Sequence, residues 1–237
     1  MSAPQAWTSL LDAAARPYRQ AGQFPWRFAR GKLGGDPAYR YVLEHGLIAP
    51  RARVLDLGCG RGLFASLLSA ASDLQACGAW PQAWQQAPVL AQIHGIELMA
   101  ADVQRARDAL GLRATFVQGD ICKTPFSQAD VVVILDVLHY LGYDAQAQVL
   151  SRVKDALAPR GLLLLRVGDA AGGLPFHVSN WVDLVVTSAR GHPLPRLYCR
   201  SLDEWTVLLS GLGFAVKKRA MSSATPCANV LLVARFC

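Results

Sequence analysis

The stretch V-L-D-L-G-C-G-R-G-L-F-A at residues 54–65 decides the fold of this chain. An apolar run holds Asp56, and Gly58, Gly60 and Gly62 then alternate with other residues before a second apolar run begins. Glycine permits positive φ and carries no Cβ, so a ligand can approach such a turn closely, and a following helix points its N–H groups at that ligand. The pattern predicts a strand, a ligand-binding turn and a helix, with an ordinary glycine loop as the alternative.

The carboxylate of Asp56 restricts the kind of ligand. A dinucleotide fingerprint, G-x-G-x-x-G, needs its third glycine at position 63, where this chain has Leu63. A carboxylate beside a pyrophosphate is also unfavourable, because like charges repel strongly where water is scarce. S-adenosylmethionine suits the turn better, since it carries an ammonium and a sulfonium alongside a carboxylate. The segment resembles motif I, D-x-G-x-G-x-G, of the class I S-adenosylmethionine-dependent methyltransferases, and all four fixed positions match.

Further carboxylates follow later predicted strands. Glu97 ends the run H-G-I-E, Asp120 follows T-F-V-Q-G, and Asp136 follows a β-branched run. Open α/β sheets bind ligands at the carboxyl ends of their strands, where an acid after the second strand takes the ribose hydroxyls. The resemblance implies in addition that Asp120 pairs with the adenine amine and that Ile121 packs on the ring. The predicted cofactor-binding residues are Asp56, Gly58, Cys59, Gly60, Glu97, Leu98, Asp120, Ile121 and Asp136.

Strands and helices alternate along the chain, which predicts an α/β fold with a Rossmann-like, doubly wound, mostly parallel sheet. The resemblance implies seven strands, the final one antiparallel. We expect an amino-terminal lid or arm at 1–45 and a methyltransferase catalytic domain at 46–237, with insertions at 70–92 and 168–200. The predicted strands are 53–57, 93–97, 115–121, 129–135, 162–167, 214–220 and 229–236. The predicted helices are 61–71, 99–110, 143–157 and one from Ser201 to Gly211 or Gly213, and a turn is expected at 159–161.

Length and composition agree with one compact α/β domain, since 52% of the 237 residues are hydrophobic and 17% are charged. No run reaches the roughly 18 uninterrupted apolar residues of a membrane span, so we expect a cytoplasmic protein. The six cysteines form no C-x-x-C pair, and neither a metal site nor a disulfide framework is indicated. Cys59 is interpreted as a small packing residue in preference to a reactive thiolate.

The amino-terminal arm is basic and aromatic, with F-P-W-R-F-A-R-G-K at 24–32. As part of a lid, Arg27, Arg30 and Lys32 would bind an anionic acceptor such as a carboxylate or phosphate, and a solvated face is the alternative. The net charge is +7 and the pI is near 9.3. These charges are spread without a dense stripe, so nucleic acid is not the expected partner.

Two segments exceed the minimal fold and are expected to set specificity. In the first, Trp80 and Trp84 stand at helical spacing between prolines, which predicts a short helix. That segment covers the substrate, joins a homodimer or forms an inert excursion. In the second, where methyltransferases of the resembled family commonly build the acceptor pocket, Phe176, His177 and Trp181 are predicted substrate contacts. A glycine-hinged surface loop is the alternative for this second segment.

The chemistry of methyl transfer makes few demands. Displacement at a sulfonium methyl needs aligned reactants and excluded water, and a hydroxyl acceptor must in addition lose a proton. His139, in D-V-L-H-Y-L, is the predicted general base, and Tyr140 is predicted to orient the acceptor. The alternative is that His139 packs or hydrogen-bonds at the start of the next helix. Methyltransferases of base amines usually carry N-P-P-Y or D-P-P-Y here, and the absence of proline favours O-methylation of a small molecule.

The arm W-R-F-A-R-G-K-L-G-G-D-P also resembles that of methyltransferases found beside bacterial aryl polyene or fatty-acyl pigment enzymes. This second resemblance implies a phenolic, carboxylic or carrier-linked acyl acceptor. Three other hypotheses stay open: a non-catalytic cofactor-binding partner subunit, an RNA methyltransferase and a nucleotide-dependent oxidoreductase. Leu63 and Asp56 disfavour the last of these.

Overall fold

The computed structural model describes residues 2–89, 91–168, 197–221 and 229–236. The chain divides into a first compact unit, Met1–Pro125, and a second, Phe126–Cys237. The first unit contains α1 (Ala3–Ala15), α2 (Gln23–Gly35), α3 (Pro37–Glu44), β1 (Arg53–Leu57), α4 (Leu63–Ala76), β2 (Gln92–Glu97), α5 (Ala100–Leu110) and β3 (Thr115–Gln118). The second contains β4 (Ala129–Leu135), α6 (Tyr143–Ala156), β5 (Leu157–Gly168), α7 (Leu202–Gly211), β6 (Phe214–Ala220) and β7 (Asn229–Phe236).

The sheet of the first unit aligns the carboxyl ends of its strands. Strand β2 pairs in parallel with β1 and with β3, so Asp56 lies opposite Gly95 and Glu97 lies opposite Gln118. All residues of β1 except the first are buried, as its continuous apolar run requires. The glycine turn therefore leaves the sheet at the edge where β2 ends in Glu97.

Helix α4 begins later than its sequence suggested. The predicted helix at 61–71 runs instead from Leu63 to Ala76, because Gly62 has φ +74° and this left-handed conformation cannot continue an α-helix. The third strand is also shorter than the predicted 115–121 and ends at Gln118. Gly111 follows α5 with φ +52°, in the capping position expected of it.

The amino-terminal arm is helical and packs on the rest of the first unit. Helix α1 lies against α4, and the Ser66 hydroxyl of α4 donates a buried 2.7 Å hydrogen bond to the Ala14 carbonyl. In the 3₁₀ turn that follows α1, Arg16–Ala21, the Tyr18 hydroxyl donates to the Arg61 carbonyl at 2.8 Å. The arm therefore fixes the main chain of the glycine turn.

Residues 70–76 of the insertion belong to α4, and its described residues 77–89 contain no helix, so the short helix predicted from Trp80 and Trp84 is wrong. The Trp80 indole donates to the Gln85 carbonyl at 2.9 Å and meets the Trp84 ring edge-on at 5.2 Å. The Arg51 N–H, just before β1, donates to Val89 at 2.8 Å. The insertion thus lies at the amino ends of the strands, opposite the glycine turn, which argues against its covering a substrate at that turn.

In the second unit β4 is parallel to β5, and β7 is antiparallel to both β5 and β6. The predicted strands 129–135, 214–220 and 229–236 agree with β4, β6 and β7 at both ends. Ser201 opens α7 through the predicted capping box, in which Glu204 accepts from the Ser201 N–H at 2.7 Å. The strand order is β3-β2-β1-β4-β5-β7-β6, a mostly parallel sheet with an antiparallel final strand, as predicted.

The turn predicted at 159–161 lies inside β5. Ala129 pairs with Leu157 and Val131 with Leu162, so residues 158–161 loop out of the ladder as a bulge. Arg160 there has φ +61°. A bulge accommodates a proline without the loss of a sheet hydrogen bond. Residues 159–161 therefore turn as predicted, although β5 already begins at Leu157.

Candidate functional site

The glycine turn has the backbone conformation that its sequence predicts. Gly58, Gly60 and Gly62 have φ values of +75°, +54° and +74°. A Cβ at Gly62 would lie 2.9 Å from the Phe116 ring, whereas a Cβ at Gly60 would meet nothing within 4 Å. Gly62 is therefore required by packing, while Gly60 borders open space that a ligand can enter.

Cys59 is a packing residue in this turn. Its side chain is buried, and a Cβ on Gly95 would lie 2.6 Å from the Cys59 sulfur. Burial raises the pKa of the Cys59 thiol, and the nearby Asp56 carboxylate raises it further. The thiol is thus held in its neutral form, which is the opposite of a reactive thiolate.

Asp56 is a buried carboxylate, with 4% of its surface exposed. Burial raises the pKa of Asp56 to about 7, and the negative charge of Glu97 adds to this effect. Within the part of the chain that the structure describes, no hydrogen bond to the Asp56 carboxylate is formed. A buried acid next to a second acid, without a donor of its own, is a favourable place for a cation.

Glu97 is oriented by the turn itself. One oxygen accepts from the Gly60 N–H at 3.0 Å, and the other accepts from the Met99 N–H at 2.9 Å. A carboxylate has about four lone-pair positions, so about two are left over after these contacts. These are enough to accept the two hydroxyls of a ribose.

Leu98, directly after Glu97, exposes 62% of its surface at the same edge of the sheet. Ile121 is buried, and Asp120 beside it accepts the Cys122 N–H at 2.8 Å while its second oxygen lies 3.9 Å from the Lys123 ammonium. The first unit therefore brings an exposed apolar side chain, an apolar wall and an acid to the carboxyl ends of β2 and β3. These are the groups that an adenine ring requires.

Two of the three predicted acceptor-binding cations of the arm have partners within the arm. Arg30 pairs with Asp12 at 2.6 Å, and Lys32 pairs with Asp36 at 3.4 Å, while Arg27 is exposed. These ion pairs favour the solvated-face interpretation of the arm over a set of free cations.

The cation beside the turn is Arg61, which sequence reasoning did not select. Its guanidinium lies 3.1 Å from Asp102 and 4.7 Å from the centre of the Phe28 ring. Its carbonyl accepts from Tyr18. The position of Arg61 inside the glycine motif could have singled it out from the sequence. Its partners Asp102, Phe28 and Tyr18 are distant in sequence, so only the fold identifies them.

In the second unit, Asp136 forms a two-point ion pair with Arg166. The Arg166 Nε donates to one carboxylate oxygen at 2.7 Å and a terminal nitrogen contacts the other. Arg166 is 3% exposed and comes from the neighbouring strand, opposite Leu135. Asp136 has φ +58°, a conformation that aspartate tolerates better than most residues. The arrangement fixes the turn after β4, and the predicted cofactor contact of Asp136 stays a prediction.

His139 and Tyr140 lie in a 3₁₀ turn, Leu138–Tyr140, with ring centres 4.2 Å apart. This turn lies directly before α6, which begins at Tyr143, and the His139 Nε2 atom is buried. The general-base role of His139 and the alternative, in which it packs or hydrogen-bonds at the start of the next helix, both stay predictions. His139 is partly buried and Tyr140 is exposed at its surface. The other predicted substrate contacts, Phe176, His177 and Trp181, lie outside the described residues.

Comparison with known proteins gives the class of protein. The model of the methyltransferase domain family matches residues 26–218, so the chain belongs to this family. Its sheet has the strand order of the class I methyltransferases, which use S-adenosylmethionine. The buried Asp56, to which no described residue donates a hydrogen bond, and the open space at Gly60 fit that cofactor, because its amino-acid end carries an ammonium for the Asp56 carboxylate and a carboxylate that needs backbone N–H groups.

A curated relative is the carboxy-S-adenosyl-L-methionine synthase of Chromohalobacter salexigens, 32% identical over 140 residues. The match covers 54% of this chain and about half, 47%, of the relative. The magnesium protoporphyrin IX methyltransferase of Synechocystis PCC 6803, solved with bound SAH, has a TM-score of 0.60 at 19% identity and covers 94% of this chain and 93% of its own. An O-methyltransferase family protein from Burkholderia thailandensis also has a TM-score of 0.60, at 20% identity, with 92% and 61% covered. These structures share the fold.

No helix among the described residues is long and apolar enough to cross a membrane. The same residues contain no group of three or more histidine, cysteine or acidic side chains arranged to hold a metal ion.

Proposed function

We propose that this chain is an active S-adenosylmethionine-dependent methyltransferase that methylates an oxygen of a small molecule. The acceptor is a phenol, a carboxylic acid or a carrier-linked acyl group. The observation that carries the proposal is the buried Asp56 carboxylate, which accepts no hydrogen bond from the described residues and lies next to a positive-φ glycine turn, in a chain of the methyltransferase domain family. A positively charged methyl donor supplies what this carboxylate lacks.

The residues of the first unit hold the donor. Asp56 ionises against the ammonium, and the two lone-pair positions left on Glu97 accept the ribose hydroxyls. Leu98 and Ile121 would supply apolar contacts to the adenine, and Asp120 would accept from its amine. When bound, S-adenosylmethionine supplies an electrophilic methyl group, so this unit needs to orient it and exclude water.

In this proposal, residues of the second unit act on the methyl acceptor. His139 takes the proton of the acceptor hydroxyl, and Tyr140, exposed at 39%, orients the acceptor. Oxygen is favoured as the acceptor atom because the segment after β4 reads D-V-L-H-Y and lacks the proline turn typical of base-amine methylation.

The test is transfer of labelled methyl from S-adenosylmethionine to a panel of phenols, fatty acids and carrier-bound acyl groups. We expect a product with one of these classes and a fall of about 100-fold or more in kcat for His139→Phe, with the cofactor dissociation constant unchanged. His45→Phe, which replaces an exposed histidine of the first unit, serves as the matched control. Wild-type turnover in His139→Phe would remove His139 from the mechanism, and the absence of any methylated product would contradict the proposal.

A second candidate function follows from the curated relative, which is named as a carboxy-S-adenosyl-L-methionine synthase. The 32% identity supports it, although the match covers only about half of each chain. Carboxylation of S-adenosylmethionine needs a co-reactant that supplies the carboxyl group, so the reaction is also run with a panel of small carboxylic acids as donors. Mass spectrometry of the products then distinguishes the two functions, because carboxylated S-adenosylmethionine and a methylated acceptor differ in mass. A carboxylated cofactor as the sole product would replace methyl transfer as the function.

A further inference from the structure

Gln146, in the first turn of α6, is fully buried and makes four side-chain hydrogen bonds. Its amide nitrogen lies 3.0 Å from the carbonyl oxygens of Leu138 and Leu141 and 2.8 Å from that of Tyr198. Its oxygen accepts from the Arg200 Nε at 2.8 Å. Two amide protons serve three carbonyls here, so one of them is shared.

These carbonyls enclose the turn that carries His139 and Tyr140. Leu138 and Leu141 stand immediately before and after that pair, so the Gln146 amide holds both ends of the turn. The His139 carbonyl accepts from the Tyr198 N–H at 2.8 Å, and the Tyr198 carbonyl is in turn held by Gln146. The contacts form a closed ring, which leaves the main chain at His139 little freedom to move.

The other end of the Gln146 side chain is fixed by Arg200. The Arg200 guanidinium also donates to the Tyr143 carbonyl at 3.0 Å, and it stacks on the Tyr143 ring at 4.7 Å. The Tyr143 hydroxyl donates to the Cys199 carbonyl at 3.2 Å. The Gln146 amide is therefore oriented by a charged partner and cannot exchange its nitrogen and oxygen without losing hydrogen bonds at both.

We infer that Gln146 is a positioning residue that sets the place of the His139 imidazole and the Tyr140 ring by binding the main chain on both sides of them. This inference rests on the proposed function, in which His139 and Tyr140 face the methyl acceptor. A surface glutamine would not be drawn into such a ring. An apolar residue in its place would take this donor from the Leu141 and Tyr198 carbonyls and leave the Leu138 carbonyl only the Leu141 N–H, 3.0 Å away.

The test replaces Gln146 by glutamate, which keeps the shape and the contact to Arg200 but removes both amide protons. We expect Gln146→Glu to lower kcat about tenfold to a hundredfold, since displaced catalytic groups lose rate steeply, while the dissociation constant of S-adenosylmethionine stays within about twofold. Gln148→Glu, the same change on the exposed face of the same helix, should leave kcat unchanged. In a His139→Phe background, Gln146→Glu should lower kcat by a smaller factor than in the wild-type chain, because the part of the loss that acts through His139 is already gone and only the placement of Tyr140 is still affected.

Three results would overturn the inference: unchanged kcat in Gln146→Glu, a parallel loss of cofactor affinity, or full multiplicative losses in the double variant. If Gln146→Glu does not fold, Gln146→Asn, with an amide one methylene shorter, should fold and show a smaller loss in kcat, and wild-type kcat there would equally overturn it. If the wild-type chain methylates no acceptor, the proposed function fails, and NMR of the His139 imidazole still decides the inference. Shifted His139 signals in Gln146→Glu, but not in Gln148→Glu, support it, and identical signals refute it.

Discussion

Replacing Asp56 by asparagine should make the cofactor-free protein more stable and should abolish tight cofactor binding. Burial and the Glu97 charge raise the pKa of Asp56 from 3.8 to about 7. Because the folded pKa lies above the unfolded one, the folded state binds the proton more tightly, and stability is lost as pH rises from about 4 to about 7. A rise of about three units in pKa corresponds to a loss of about 4 kcal/mol in the free energy of unfolding at pH values above 7. Asparagine is never ionised, so the variant avoids this loss.

Urea unfolding of the cofactor-free protein at pH 8 and at pH 4.5 measures this effect. We expect Asp56→Asn to raise the free energy of unfolding at pH 8 by up to about 4 kcal/mol, and the gain should shrink to about 1 kcal/mol at pH 4.5, where Asp56 is protonated in the folded state but mostly ionised in the unfolded one. Asp108→Asn, which changes an exposed carboxylate of the same unit, should have little effect at either pH. Equal stabilities of wild type and Asp56→Asn at pH 8 would refute the reasoning that the site holds an unfavourable charge awaiting a cation.

Three further variants test the packing of the turn and of the sheet. Gly62→Ala should lower the free energy of unfolding by about 2–3 kcal/mol, since its Cβ would strike Phe116 in a positive-φ conformation, whereas Gly60→Ala should lower it by about 1 kcal/mol from backbone strain alone. Equal losses in urea unfolding would contradict the assignment of Gly60 to open space. Arg166→Met should lower the free energy of unfolding by about 2–4 kcal/mol at pH 7, because the partly buried Asp136 carboxylate loses its ion pair with Arg166. The loss should be smaller in an Asp136→Asn background, which has no carboxylate charge at this position, and an equal loss there would contradict this cause.

The parts of the fold that were predictable are those set by short-range pattern. Apolar runs that alternate with helical segments along the chain predicted the first and last residues of β1, β4, β6 and β7. Ser201 with Glu204 predicted the start of α7. The glycine turn was predictable for the same reason, because positive φ is a property of Gly58, Gly60 and Gly62 themselves.

The parts that were not predictable depend on contacts between distant residues. Trp80 and Trp84 have helical spacing, but their rings pack on each other in a non-helical loop. The pairing of Asp136 with Arg166 follows from the register of β4 on β5, which no local pattern reveals. The same holds for the ring of hydrogen bonds around Gln146, whose partners stand up to 54 positions away.

The most direct measurement is the number of protons released when S-adenosylmethionine binds, obtained by titration calorimetry at pH 6.5 in buffers of different ionisation enthalpy. An acid that titrates near pH 7 when free and ionises against a bound cation should release about 0.7 proton per site at this pH. Binding with no proton release, or no binding at all, would contradict the claim that Asp56 holds the charged end of the methyl donor.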